Sequence, residues 1–141
     1  MKKLMIGILG LTMAVACNSG TSNPEETNAQ TTGVIVQQDI SVEEASKMMN
    51  EGDVIVVDVR SLDEFSTGHI EGALNIDVSS VGFDEKIAEL DKSKTYVVYC
   101  QSGRRSARSS ELMVDVGFKT VYNVLGGVSE WKNSGYDVIV E

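Results

Sequence analysis

The chain has 141 residues, 42% of them apolar, and a formal net charge of −9, which is room for a single domain with an ordinary core. So acidic a body is a poor partner for nucleic acid and for anionic membrane surfaces. A lone histidine, His69, and the lack of any Cys-x-x-Cys pair argue against a structural zinc site or a thioredoxin-like redox motif, so no metal is expected.

Residues 1–16 have the layout of an export signal: Lys2 and Lys3, then an apolar stretch from Leu4 to Ala16 broken only by glycine and threonine. The stretch is short for a transmembrane helix. Ala14-Val15-Ala16 fits a small-x-small cleavage site for ordinary secretion, whereas Ala16-Cys17 resembles the end of a bacterial lipoprotein box, with Ala14 where leucine is usual. In the second case Cys17 is lipidated and becomes the first residue of the mature protein. The tract from Asn18 to Gly33 favours that case: it is rich in Asn, Ser, Thr and Gly, holds the only proline, Pro24, and has the composition of a flexible tether. The resulting expectation is an exported, lipid-anchored protein of the cell envelope, facing periplasm or cell surface. Asn18 after the cysteine, in place of an inner-membrane retention aspartate, favours the outer membrane. Lipidation of Cys17 also leaves Cys100 as the sole free thiol; a Cys17 to Cys100 bridge is the alternative, and it would block the site described below.

From Val34 onward, short apolar runs alternate with helical patterns, the cue for helices packed on a largely parallel sheet. Val34 to Val36 reads as an outer strand. Ser41-Val42-Glu43-Glu44 has the spacing of a capping box, and Ala45, Met48 and Met49 make an apolar stripe until Asn50 and Gly52 stop the helix. Val54 to Val59 is a strand covered on both faces, Ala73 to Ile76 a second outer strand, and Phe83 to Leu90 a helix. Thr95 to Tyr99 is again a near-continuous β-branched and aromatic run. After the loop behind it comes a helix whose core face is assigned to Ala107, Leu112, Met113 and Val116, ended by Gly117. Val121 to Val124 is the last strand.

The most informative segment is Cys100-Gln101-Ser102-Gly103-Arg104-Arg105-Ser106, where a strand hands over to a helix. Unpaired N–H groups and a partial positive charge at a helix start lower the pKa of a thiol placed there. Three of the four arginines, Arg104, Arg105 and Arg108, fall in or just after this loop of an acidic protein. Gly103 and the serines let the backbone curl around an anion and add hydroxyl donors. The competing reading is a small buried cysteine beside a solvated basic face.

Three segments, in order, resemble the rhodanese family. Asp58-Val59-Arg60 with Glu64-Phe65 and Gly68-His69-Ile70-Glu71-Gly72-Ala73-Leu74-Asn75 is similar to its N-terminal signature, Cys100 to Ser106 to its active-site loop, and Leu125-Gly126-Gly127-Val128 with Trp131 and Gly135-Tyr136 to its C-terminal signature. Asp137 stands where many members carry proline. The resemblance implies a three-layer α/β/α domain over residues 34–141, with a central, mainly parallel sheet of about five strands. It implies a sulfurtransferase in which Cys100 takes the outer sulfur of thiosulfate or a related anionic donor as a persulfide. A thiol, cyanide or a partner protein then accepts that sulfur, without metal or organic cofactor. Gln101, Ser102, Gly103, Arg104, Arg105 and Ser106 would hold substrate charge, with Arg104 meeting donor or acceptor anions and Arg105 ordering the loop. Asp58, Arg60 and Glu64 would form a supporting ion-pair network, while His69 would play a hydrogen-bonding and Trp131 a packing role.

Four residues separate Cys100 from Arg105, the loop size that the resemblance associates with sulfur transfer; related dual-specificity phosphatases and arsenate reductases carry one more. The other rival is a non-catalytic persulfide carrier or docking module. A single cysteine cannot resolve its own persulfide, so the acceptor must come from outside. The domain is expected to be a monomer.

Overall fold

The computed structural model describes residues 34–140. The expected signal over residues 1–16, the lipid-attachment Cys17 and the tether to residue 33 lie outside the described residues, as does Glu141. Five strands, β1 (Val36–Ile40), β2 (Val54–Asp58), β3 (Leu74–Asn75), β4 (Thr95–Tyr99) and β5 (Thr120–Val124), alternate with five helices, α1 (Val42–Glu51), α2 (Leu62–Ser66), α3 (Phe83–Ala88), α4 (Arg104–Asp115) and α5 (Gly127–Asn133). The strands form one parallel sheet in the order β1-β5-β4-β2-β3.

Strand β4 lies at the centre of that sheet, and its side chains alternate between two cores. Tyr96, Val98 and Cys100 join Val57, Val59, Ile87, Met113 and Phe118 on one face, where α3 and α4 pack. Val97 and Tyr99 join Val56, Ala45, Val128 and Trp131 on the other, where α1 and α5 pack. Burial on both faces is why β2 and β4 read as unbroken apolar runs, and it yields the expected α/β/α layering. Cys100 therefore continues the strand's alternation one residue past its end, and α4 must pass over it.

The capping box at α1 forms: Ser41 Oγ accepts the Glu44 N–H, and Glu44 Oε2 accepts the Ser41 N–H. Other boundaries differ from the sequence reading. The first strand is Val36–Ile40, not 34–36, because β1 is an edge strand that pairs through its backbone with β5 from Val36↔Thr120 to Ile40↔Val124. Its Gln37, Gln38 and Asp39 are exposed and carry no apolar signal. The α3 helix stops at Ala88, and β3 is only two residues long. The core face assigned to α4 is corrected in part, since Met113 is buried and Leu112 packs against the core as expected. Its buried residues are Ser106, Ser109, Ser110 and Met113, whereas Val116 is 47% exposed. Small serines let this helix lie close against the sheet, and the Ser110 hydroxyl donates to the Ser106 carbonyl at 2.9 Å.

Two helices were not read from the sequence. The α2 helix is opened by Ser61, whose Oγ accepts the Glu64 N–H at 3.3 Å, a second capping box with the same spacing as the first. The α5 helix begins at the glycine pair Gly126-Gly127.

Candidate active site

Cys100 emerges from the carboxyl end of the central strand, where ligands bind in open parallel sheets. The residues after it turn sharply through Gly103, which has φ +90° and starts α4 as its N-cap with no side-chain oxygen to offer. A Cβ there would press on the Val124 carbonyl and the Gly126 N–H, both at 3.2 Å. The N–H groups orphaned at the helix start are thus left to the sulfur. Cys100 Sγ accepts the Gly103 N–H at 3.2 Å and the Ser106 hydroxyl at 3.5 Å.

The electrostatics follow from that arrangement. Burial alone would push the Cys100 thiol up, since the residue is 1% exposed. The Ser106 hydroxyl, together with the backbone N–H groups of Ser106, Ser102 and Gly103, outweighs burial and holds the thiol below its ordinary value. This is a sulfur set up to carry negative charge inside a nest of donors.

A loop whose N–H groups turn inward must send its carbonyls outward, and α5 receives them. The Val128 N–H donates to the Cys100 carbonyl at 2.9 Å and the Ser129 N–H to the Gln101 carbonyl at 3.1 Å. Gly127, at φ +57°, sits so close to this loop that a Cβ would collide with the Cys100 carbonyl oxygen and the Gln101 backbone. Ser129 also accepts the Gln101 side-chain amide at 2.7 Å. The sequence reading assigns neither Gly127 nor Ser129 a part in the site; the visible signal is a glycine pair one residue past a strand.

Arg105 leaves the loop and forms a two-pronged pair with Glu64, at 2.8 Å and 2.6 Å. This pairing raises the Arg105 guanidinium above its ordinary value, and the Cys100 charge favours it further. Arg105 in turn is the main reason that the Glu64 carboxyl is pushed down to about 2; burial works against it, and the Ser61 N–H and hydroxyl reinforce it.

Beneath lies a second pair. Arg60 and Asp58 are 2% and 0% exposed, with Arg60 Nη2 2.6 Å from Asp58 Oδ2 and Nε 3.0 Å from each carboxylate oxygen. Arg60 also donates to the Gly68 carbonyl at 2.8 Å and reaches Gln101 Oε1 at 3.4 Å. Asp58, Arg60 and Glu64 thus occur as two separate ion pairs, joined to the loop through Gln101 and Arg105.

His69 is buried, stacks on Phe65 at 3.6 Å between ring centroids and pairs its backbone with Ile139; its Nδ1 lies 3.0 Å from the Phe65 carbonyl. Trp131 is 5% exposed, packs against Tyr136, and donates its indole N–H to the Asp137 carbonyl. Gln101, Ser102, Arg104, Arg105 and Arg108 line an open cavity of about 320 Å³ at the mouth of the loop. Among the described residues no group of three or more His, Cys, Asp or Glu side chains converges as metal ligands.

A five-stranded parallel α/β sandwich with a cysteine-headed anion nest at the end of its central strand is the class that fold and site define. The chain belongs to the rhodanese-like domain family, whose model matches residues 41–134. It is 33% identical over 98 residues to the thiosulfate sulfurtransferase GlpE of Coxiella burnetii, a match covering 70% of this chain and 90% of that one. It is 37% identical over 98 residues to the tRNA uridine(34) hydroxylase of Photorhabdus laumondii, but there spans only 27% of the longer protein. The crystal structure of a rhodanese-related protein from Thermoplasma volcanium superposes with a TM-score of 0.66 at 32% identity, over 74% of this chain and 99% of that one.

Proposed function

We propose that this protein transfers sulfane sulfur through a persulfide on Cys100. The observation that carries the reading is the Cys100 sulfur, held below its ordinary thiol pKa by Gly103, Ser106 and the loop amides at the end of β4. The similarity to a thiosulfate sulfurtransferase supports thiosulfate as donor. In the first step the Cys100 thiolate attacks the outer sulfur of thiosulfate; the sulfur–sulfur bond of the donor breaks, its electron pair leaves with sulfite, and Cys100 carries a persulfide anion. In the second step a nucleophile such as cyanide attacks that outer sulfur, the new sulfur–sulfur bond breaks, and Cys100 is released as thiolate. Each step moves one sulfur between nucleophiles and needs no external oxidant or reductant. The loop donors face the charge throughout, the setting in which preorganised dipoles contribute most.

The test is thiosulfate-to-cyanide transfer by the reduced domain and by Cys100→Ser, with intact mass recorded after thiosulfate alone. Turnover and the gain of one sulfur, both lost in the variant, are expected. An adduct without turnover would make the protein a carrier awaiting another acceptor, and the absence of both in folded protein would overturn the reading. For location, our reading is a lipid anchor on Cys17 in the cell envelope, on the outer membrane. Labelled fatty acid incorporated into the full chain but not into Cys17→Ser is the expected outcome; equal release of both forms as free protein would refute it.

A further inference from the structure

Two of the four arginines are neutralised by carboxylates, Arg60 by Asp58 and Arg105 by Glu64. The other two, Arg104 and Arg108, form no ion pair among the described residues, are exposed, and line the same cavity at the mouth of the Cys100 loop. They lie one turn apart on α4, so their side chains emerge from one face of the helix with a rise of about 5–6 Å between them. In a protein with 21 acidic residues, two unpaired guanidinium groups at one mouth form a local cationic site.

The nest alone does not use this space. Its donors close directly on the Cys100 sulfur, which suits the transferred sulfur and the small group attached to it. The cavity outside, at about 320 Å³, could hold on the order of ten waters at about 30 Å³ each, and is of a size that holds a small organic molecule. It has an amide side chain, a hydroxyl and cations on its walls and no carboxylate.

We infer that the cavity is the seat of the sulfur acceptor, that the acceptor is a small thiol bearing a carboxylate, and that Arg108 is a specificity-determining residue that binds this carboxylate. The inference rests on the persulfide reading above. The acceptor thiol attacks the outer sulfur of the Cys100 persulfide anion, the bond from that sulfur to Cys100 Sγ breaks, and its electron pair returns to Cys100. The thiol proton ends on the new persulfide, so a persulfide of the acceptor and a Cys100 thiolate leave the step with charge conserved. With the carboxylate held by Arg108, and by Arg104 nearer the loop, a short carbon chain places the thiol at the nest. An acidic protein acceptor fits less well, because the body of this molecule, at a net charge of −9, would repel it over a broad contact. A small anion meets only the local cations, within the ~10 Å over which exposed charges act in ordinary salt.

The test loads the domain with thiosulfate, removes excess donor, and follows loss of the bound sulfur by mass with 3-mercaptopropionate and with uncharged 2-mercaptoethanol. Equilibrium binding of mercaptosuccinate to unloaded protein is measured in parallel. In the native protein the second-order discharge rate per thiolate should favour mercaptopropionate by about tenfold, the worth of one charge-assisted contact of about 1.4 kcal/mol. In Arg108→Gln that ratio should fall to near one, with a partial return in Arg108→Lys, and mercaptosuccinate affinity should fall with it. A structural defect would slow both thiols alike and leave the ratio in place. An unchanged ratio in Arg108→Gln, or native discharge that ignores the carboxylate, overturns the assignment. Failure to load would instead sink the persulfide reading. The binding arm then decides the recognition claim by itself: binding lost in Arg108→Gln keeps the carboxylate seat, and no binding removes it.

Discussion

At the scale of single residues, the chemistry turns on how a nearly inaccessible sulfur can be charged. Burial opposes the thiolate, and the donors around it reverse the balance, so each donor should be visible in the pH dependence of the reaction. Ser106→Ala removes the side-chain hydroxyl that donates to Cys100. At about 1.5 kcal/mol for a hydrogen bond to a charged group, sulfur loading below the thiol midpoint should slow by roughly tenfold. Because the native pKa is lowered, the thiolate persists to lower pH in the native protein than in the variant; the deficit should therefore fade as pH rises above the variant's midpoint. A deficit constant across pH would show that the hydroxyl acts on geometry and not on ionisation. Glu64 makes a second pH statement. Its folded pKa is about 2 against an ordinary 4.5, so its contribution to stability is fully present above about 4.5 and is lost as pH falls toward 2. Both partners are about one-third exposed, at 36%, and solvent screens the pair, so the contribution should be no more than about 1 kcal/mol. The expected result is that Glu64→Gln flattens the unfolding midpoint across that pH window and leaves it nearly unchanged only at about pH 2 and below.

At the scale of elements, two loops at the carboxyl end of the sheet, leading to helices on opposite faces, are welded into one structure. The loop after β4 supplies N–H groups to the sulfur, and α5, after β5, supplies N–H groups to that loop's carbonyls. Gly127→Ala is expected to break this join, since the added carbon meets backbone that cannot swing aside and the backbone there has φ +57°. Thermal unfolding should report a loss of roughly 2–4 kcal/mol, with sulfur loading reduced further than stability alone explains. Gly135→Ala is the matched comparison: it shares a positive φ, +85°, but its Cβ meets nothing within 4 Å, so it should cost only about 1 kcal/mol of backbone strain. A Gly127 variant no worse than the Gly135 variant would mean the loop has room to move. This join also marks what can be read from sequence. Strands β2, β4 and β5 were legible because burial on both faces writes a run of Val, Ile and Tyr into the chain, and α1 because a capping box precedes an apolar stripe. Edge strand β1 is misplaced by the sequence reading because Gln37, Gln38 and Asp39 face solvent and its pairing with β5 is chiefly through the backbone. The α2 capping box at Ser61 has the same spacing as that at Ser41 and was legible in principle, but its helix is too short to show a stripe. The contact between Gly127 and the Cys100 loop joins residues far apart in sequence and leaves no periodic trace. The loop residues themselves were legible as a motif, whereas the division of the arginines into paired and unpaired needed coordinates.

At the scale of the whole molecule, the site is only as rigid as the buried charge beneath it. Arg60 gathers the end of β2 through Asp58, the segment after α2 through the Gly68 carbonyl, and the Cys100 loop through Gln101. Burial would favour a neutral guanidinium, but Asp58 more than offsets it, and Arg60 stays charged with its pKa above the ordinary value. A buried pair of this kind adds little net stability when compared with apolar packing, because both charges lose water. Removing one partner is another matter, since it strands the other without solvent. Arg60→Met should therefore cost about 3–5 kcal/mol, measured by denaturant unfolding, and Asp58→Asn combined with Arg60→Met should cost clearly less than the sum of the two single changes. The Gly68 carbonyl would still lose its donor, while the backbone N–H of residue 60 keeps an amide Oδ1 as acceptor, so the double variant should not fully regain native stability. In whatever fraction remains folded, Gln101 loses its contact with Arg60 while keeping that with Ser129, and sulfur loading should slow even where unfolding is negligible. An Arg60→Met protein less than 1 kcal/mol weaker than native would show that Asp58 finds water or another donor, and that the pair is packing detail, not the anchor of the loop.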